Sequence, residues 1–316
     1  MTIAAYASQR HYLDHLRPVI EGIEGELYIS GGLRSYAPAA RAGLPPRDDR
    51  GPVLVASYRD EVTVRQHSGR PIILIEHGAG QHYGGTHAAH AGGPDRDDVV
   101  LFLCPNETVA ARNRATYPTA KIAVVGSPRL DPWHLGRRVF VNHAQPIIAL
   151  AWHWDCLIVP EARSAFRHFA GALPELARAF PGRVLGHAHP RIMGELAEPY
   201  RRAGIAPVWD FADVLDRADL LVFDVTSAGY EFASTGRPVV AVNAPWYRRE
   251  VHHGLRFWDV IPGLQVDRPA ELVGTVLVAL EDPAEVRAMR EEAVAEVYDA
   301  ADGKATDRAV AAILEL

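Results

Sequence analysis

The chain has 316 residues, 48% hydrophobic and 23% charged, with a formal net charge of −6. That length exceeds one ordinary core and predicts two domains, while the acidic balance argues against a sequence-independent nucleic-acid binder. No apolar run approaches the roughly 20 residues of a membrane span and residues 1–16 lack a signal-peptide layout, so the cytoplasm is the expected compartment, with peripheral membrane association as the alternative.

Short apolar runs alternate with helical patterns nearly throughout, the signature of parallel βαβ units. In the first half, strands are predicted over 26–30, 53–57, 72–76, 99–104 and 122–125, and helices over 11–23, 61–67 and 107–116. Residues 84–98 read as a flexible loop, and 127–145, with prolines, Gly136 and a basic pair but no clean period, as the linker. In the second half, strands are predicted over 147–152, 184–187, 207–209, 220–223 and 239–242, and helices over 161–180, 191–203 and 211–217. Residues 271–316 are helical, broken at Pro283 and at Asp302-Gly303, and are expected to close the second domain and pack back on the first. The domains are therefore 1–135 and 136–316, both Rossmann-like doubly wound parallel sheets in an α/β fold, with ligands expected where strand carboxyl ends open onto a shared cleft.

The segment 220–245 carries the strongest chemical signal. A buried strand ends in Asp224, Thr226 and Ser227, which supply turn and cap chemistry before a short helix, so an anion, most often a phosphate, is the expected guest at the helix start. A well-capped ordinary αβ unit explains the same residues. His77 follows a strand and precedes Gly78; it is either a general base for an acceptor hydroxyl or a histidine packed at a turn. Glu76 either orients His77 or points to the opposite face. In the run 186–190, Pro190 suits a first helical turn and leaves His189 just ahead of the helix, with His187 two residues before it on the strand. A metal held by the two histidines is weakly signalled, since no third ligand has fixed spacing to them.

Arg129, after the last strand of the first domain, either meets a phosphate or pairs with Asp131 to brace the linker. Trp152, His153 and Trp154 line a base or acceptor pocket, or the two indoles pack in the core. His82, His87 and His90 read as surface residues, and Cys104 and Cys156 as buried structural thiols. No Walker or G-x-G-x-x-G fingerprint is present, which disfavours Walker-type ATP hydrolysis and nicotinamide chemistry.

Taken in order, His77-Gly78, Gly126-x-Pro128-Arg129-x-Asp131, His189-Pro190, Asp224-x-Thr226-Ser227 with Glu231 and Arg237-Pro238, and Asp302-Gly303-Lys304-Ala305 form a series that resembles the CDP-glycerol glycerophosphotransferases of teichoic acid synthesis. The resemblance implies the two-Rossmann GT-B fold, with residues 1–135 as the acceptor domain and 136–316 as the nucleotide-donor domain. It makes His77 the base that activates the acceptor hydroxyl and His189 a second catalytic histidine near the donor diphosphate. It has Thr226 and Ser227 hold donor phosphates and puts Glu231 near the ribose or polyol, and with Arg129, His187, Pro190 and Asp224 from the strand-end reading these form the expected donor-binding set. The family's Trp before His-Gly is Glu76 here, its following Thr and Lys are replaced within residues 79–82, and its membrane-docking N-terminal region is not expected in this chain.

The reading is a metal-independent GT-B transferase that moves a glycerophosphate or glycosyl group from a CDP- or UDP-linked donor to an acceptor hydroxyl on a polymer, protein, lipid or modified nucleic acid. It needs no cofactor beyond that donor. An isomerase resembling the UDP-N-acetylglucosamine 2-epimerases and a non-catalytic nucleotide-sugar binder are the alternatives.

Overall fold

The computed structural model describes residues 2–79, 98–136, 144–155, 163–247, 249 and 260–316. The chain divides into two compact units: unit 1 holds Met1–His77, Thr86–Leu135 and Tyr298–Leu316, and unit 2 holds Gly78–Gly85 and Gly136–Val297.

Unit 1 is built on β1 (Ala4–Ala7), β2 (Glu26–Ile29), β3 (Arg41–Ala42), β4 (Val53–Val55), β5 (Ile72–Ile75), β6 (Val99–Cys104) and β7 (Lys121–Val124). They form a parallel sheet in the order β3-β2-β1-β4-β5-β6-β7. Helices α1 (Arg10–Gly22), α2 (Tyr58–Ser68), α3 (Glu107–Thr116) and α4 (Asp131–Leu135) connect or follow the strands. Strand alternation sorts the core into two faces. Ala5, Ala7, Ile73, Ile75, Leu101 and Leu103 pack with Leu13, Leu16, Val19 and Ile20 of α1, whereas Ala4, Tyr6, Ile72, Leu74, Phe102 and Cys104 pack with Val64 of α2 and Val109 of α3.

Unit 2 carries β8 (Ile148–Trp152), β9 (Val184–Ala188), β10 (Ala206–Pro207), β11 (Leu220–Phe223), β12 (Val239–Val242) and β13 (Leu264–Val266), with α5 (Phe166–Phe169), α6 (Leu173–Ala179), α7 (Pro190–Arg202), α8 (Phe211–Arg217), α9 (Ala228–Ala233), α10 (Leu272–Leu280) and α11 (Ala284–Val297). Its parallel sheet runs β10-β9-β8-β11-β12-β13, the strand order of a dinucleotide-binding fold. Order reverses between β1 and β4 in unit 1 and between β8 and β11 in unit 2, so each sheet has a switch point where a ligand crevice opens. α9 sits close on β11 because Gly229 lacks a side chain: a Cβ there would lie 1.9 Å from the Phe223 ring.

The structure differs from the sequence expectation in four places. β1, unpredicted because its sequence AAYA has low strand propensity, is the strand beside the switch point of unit 1 and pairs with both β2 and β4. The short edge strands β3 and β13 were also unpredicted, and the helix expected over 161–180 is broken, with a 3-10 turn at Ala170–Ala172 between α5 and α6.

The fourth difference concerns α12 (Ala305–Leu314), which belongs to unit 1 rather than to the segment 136–297. The reason lies in two of the motifs. Asp131 accepts from the Ala305 and Thr306 backbone N–H groups at 3.0 and 2.7 Å, capping α12 from a distance in sequence. Arg308 donates to the Val125 carbonyl at 2.9 Å and clasps Asp302 with both terminal nitrogens. Gly303, with φ of +74°, lies against Leu135, where a Cβ would come within 2.4 Å. Gly126-x-Pro128-Arg129-x-Asp131 and Asp302-Gly303-Lys304-Ala305 are thus two halves of one docking joint, which ties Ala309 and Ile313 into the core that α1 covers.

Candidate active site

His77 follows β5 on the α1 side of the sheet. Alternation places Ile75 in that core face, Glu76 on the other and His77 back on the first. Glu76 accordingly faces Tyr58 at 3.5 Å and Asn113 at 3.2 Å, so of the two orientations open in the sequence it takes the one away from His77. The His77 ring packs edge-on against Tyr12 and lies 5.8 Å from His15 and 6.3 Å from His11, all three on α1. It hydrogen bonds the Ala56 carbonyl just past β4, at the switch point. A carbonyl can only accept, so that ring nitrogen carries the proton and the other presents its lone pair. Desolvation lowers the His77 pKa to about 4, with Arg129 adding to the fall and the Ala56 bond opposing it. The imidazole is therefore neutral at pH 7, as a general base requires.

Arg129 stands in this cluster in unit 1. Its guanidinium pairs with Asp14 at 3.6 Å, while Asp131 is engaged in capping α12. His15, 5% exposed, has its pKa held well below the usual histidine value by burial first and then by Arg129, His77 and His11. His11, Asp14 and His15 escaped the sequence reading; the signal available was the i, i+4 histidine pair on the apolar face of an amphipathic helix.

Both histidines set a pH dependence of stability. Their folded pKa lies below the unfolded value near 6.5, so protons favour the unfolded chain. Their contribution is intact above pH 6.5 and is lost as pH falls below it, for His77 progressively towards its folded value of about 4 at up to about 1.4 kcal/mol per pH unit. Urea midpoints measured at pH 7.5, 6 and 5 are expected to fall in that order, and His15→Phe is expected to flatten the fall. A midpoint independent of pH over this range would contradict the burial of these rings.

In unit 2, the switch point is organised by Asp224, which directly follows β11 and is 0% exposed. Its carboxylate accepts the His153 N–H at 2.8 Å, the Ala165 N–H at 2.9 Å and the Ser164 hydroxyl at 3.4 Å. Burial pushes its pKa up to about 7 against these three donors. The carboxylate holds two loops in place and does not face solvent.

His189 is the N-cap of α7, its Nδ1 accepting the Arg191 N–H at 3.2 Å. That acceptance leaves the proton of the neutral ring on Nε2. The ring lies 6.0 Å from His153 and 6.3 Å from Trp154, and the Arg191 guanidinium stacks over Trp154 at 4.4 Å. Pro190 takes the first helical position, as expected. His187 is buried in β9, bonds the Val208 carbonyl at 3.0 Å and packs on Phe211.

Trp152 is a core residue between Phe166 and Phe169, whereas Trp154 is half-buried beside His189. Thr226 and Ser227 are half-buried at the start of α9. That helix has six residues and its first N–H groups are engaged locally, Ala228 with Thr226 Oγ1 at 3.4 Å and Gly229 with the Thr226 carbonyl at 3.2 Å. The hydroxyls of Thr226 and Ser227, more than a helix dipole, are what this turn offers an anion. Glu231 lies within α9 and is 4% exposed. Arg237 is structural, bonding Thr235 Oγ1 at 2.8 Å and the Ala218 carbonyl at 2.6 Å under the Phe232 ring.

Cys104 is a buried thiol whose pKa desolvation pushes up to about 12. His82, His87, His90 and Cys156 lie outside the described residues. Among the described residues no group of three His, Cys, Asp or Glu side chains has metal-binding geometry, and no helix is long and apolar enough to cross a membrane.

Residues 182–315 match the family described as CDP-Glycerol:Poly(glycerophosphate) glycerophosphotransferase. No curated protein sequence matches the chain. Among solved structures, the wall teichoic acid polymerase TagF is similar at 13% identity and a TM-score of 0.69, over 99% of this chain and 88% of that one. A UDP-GlcNAc 2-epimerase from Neisseria meningitidis bound to UDP-GlcNAc is similar at 12% identity and a TM-score of 0.59, over 100% of both chains. At such identities these likenesses establish the two-Rossmann GT-B fold, and the family match covers the stretch that carries His189, Thr226 and Ser227. The chain has the GT-B fold, and its residues 182–315 are similar to the CDP-Glycerol:Poly(glycerophosphate) glycerophosphotransferase family.

Proposed function

We propose that the protein transfers a glycerophosphate group from a CDP-glycerol-like donor to an acceptor hydroxyl, without a divalent metal. The observation that carries this reading is the pair of opposite histidine tautomers, His77 with a lone pair in unit 1 and His189 with an Nε2 proton in unit 2. His77 takes the hydroxyl proton as the acceptor oxygen attacks the β-phosphorus of the donor; the bond from that phosphorus to the bridging oxygen breaks and CMP leaves. His189 Nε2–H, with the Thr226 and Ser227 hydroxyls, meets the charge growing on the leaving phosphate. Asp224 acts as a positioning residue by holding the His153 and Ala165 loops, and Glu231 is assigned to the ribose or polyol. His187 is assigned to packing and Arg129 to the acceptor side. Trp154, under Arg191, offers a stacking face to the base.

Incubation with CDP-glycerol, UDP-N-acetylglucosamine and related donors, followed by mass spectrometry and thermal denaturation, tests the reading. CDP-linked donors are expected to raise the melting temperature through binding to the folded state and to yield CMP when an acceptor is supplied, in EDTA as in buffer. Loss of activity in EDTA that magnesium or manganese restores would refute metal independence. Conversion of UDP-N-acetylglucosamine without an acceptor would favour the epimerase reading. No stabilisation by any nucleotide diphosphate at millimolar concentration would remove the basis for transfer.

A further inference from the structure

The groups assigned to the donor phosphates in unit 2 are neutral. The first N–H groups of α7 are taken up by His189, that of Arg191 by the ring Nδ1 at 3.2 Å and those of Ile192 and Met193 by the carbonyl at 2.9 and 3.1 Å. Thr226 engages the start of α9 in the same way. That leaves the His189 Nε2–H and two hydroxyls to meet the charge of a diphosphate. Nearby cations are committed elsewhere: Arg237 is buried in structural bonds, Arg167 faces Asp155 at 3.8 Å and Arg249 pairs with Asp267 at 2.8 Å.

Arg191 differs from these. It is exposed, and among the described residues no carboxylate pairs with its guanidinium, which lies 4.4 Å from the centre of the Trp154 ring. The same indole lies 6.3 Å from the His189 imidazole, so a cation and a neutral N–H donor converge on one ring. A guanidinium at that distance covers the indole face, and a base can stack there only once it has moved. The magnitudes favour such a move. A cation–π contact at an exposed position is worth about two- to fivefold in an equilibrium, whereas charge-assisted hydrogen bonds from arginine to a phosphate are worth roughly tenfold to a hundredfold.

We propose that Arg191 is a phosphate ligand held in reserve on Trp154: when a nucleotide binds, its phosphate takes the guanidinium and its base takes the uncovered indole. The inference rests on the reading of unit 2 as the donor side. The exchange makes the two ends of the nucleotide depend on each other. A nucleoside without phosphate has to displace the guanidinium with nothing to hold it, and a phosphate without a base leaves the indole bare, so the site selects molecules that carry both. In transfer, the same cation stands where negative charge grows as the bond from the β-phosphorus to the bridging oxygen breaks.

The test is calorimetry of the full chain with CMP, cytidine and inorganic pyrophosphate at one ionic strength. Arg191→Gln is expected to weaken CMP binding roughly tenfold and to strengthen cytidine binding by about two- to fivefold, since the indole is no longer covered. Arg191→Lys, which keeps the charge without the planar fork, is expected to recover part of the CMP affinity. Trp154→Leu is expected to strengthen pyrophosphate binding about two- to fivefold, because the guanidinium is released, while weakening CMP. Opposite shifts of this kind are not produced by a residue that only supports the fold. Unchanged CMP affinity in Arg191→Gln, or weaker pyrophosphate binding in Trp154→Leu, would overturn the proposal, and CMP binding by the parent chain would still support the donor reading. A parent chain that bound pyrophosphate through Arg191 but neither CMP nor CDP at millimolar concentration would refute the donor reading and keep the anion site. Failure to bind any of these compounds would remove both.

Discussion

His77→Ala is expected to lower transfer by roughly two to four orders of magnitude, the usual contribution of a general base, while donor affinity stays near its original value. The reason is the role proposed for each: His77, held by Ala56 and α1, takes the acceptor's proton, whereas the groups proposed to hold the donor follow β9 and β11. Ser227→Ala and His189→Ala are expected to weaken donor binding together with turnover. Binding by calorimetry and turnover by CMP release separate the two classes. Should His77→Ala lose nucleotide affinity as severely as Ser227→Ala, or keep full turnover, the base has been assigned to the wrong residue.

Asp224→Asn is expected to cost about 2 to 4 kcal/mol of stability, because it replaces an accepting oxygen with an NH2 group facing a backbone N–H and so strands buried donors. His153 and Ala165 each donate to a different oxygen of Asp224, so no flip of the amide satisfies both. Donor affinity falls too, since both loops move. Ser227→Ala, at a half-buried turn, is expected to lose donor affinity with stability changed by less than about 1 kcal/mol. Urea unfolding with calorimetry distinguishes them. An Asp224→Asn protein of unchanged stability that failed to bind nucleotide would make Asp224 a direct donor ligand instead of a positioning residue.

Much of the fold was legible because its signals are local. β6, β11, β12, α3 and α8 fall where apolar runs, caps and turn residues predict them, and the two breaks in the C-terminal helices stand at Pro283 and Asp302-Gly303. β1 escaped because its strand character comes from neighbours on both sides, which a four-residue alanine-rich segment does not announce. The Gly126-to-Asp131 and Asp302-to-Ala305 motifs were visible, but not their purpose: some 170 residues separate groups that meet within hydrogen-bond distance.

The sequence by itself determined the parallel α/β architecture, the strand ends on which chemistry sits and the family resemblance, since periodicity, turn residues and motif order are properties of the chain read along its length. Tertiary structure alone decided what each polar residue faces. It turned Glu76 from His77, brought Arg129 and the α1 histidines to it, and buried His187 against Val208 and Asp224 under two loops. The physical reason is that a side chain's protonation and partners depend on desolvation and on charges from segments distant in sequence, and neither exists until the sheets have closed.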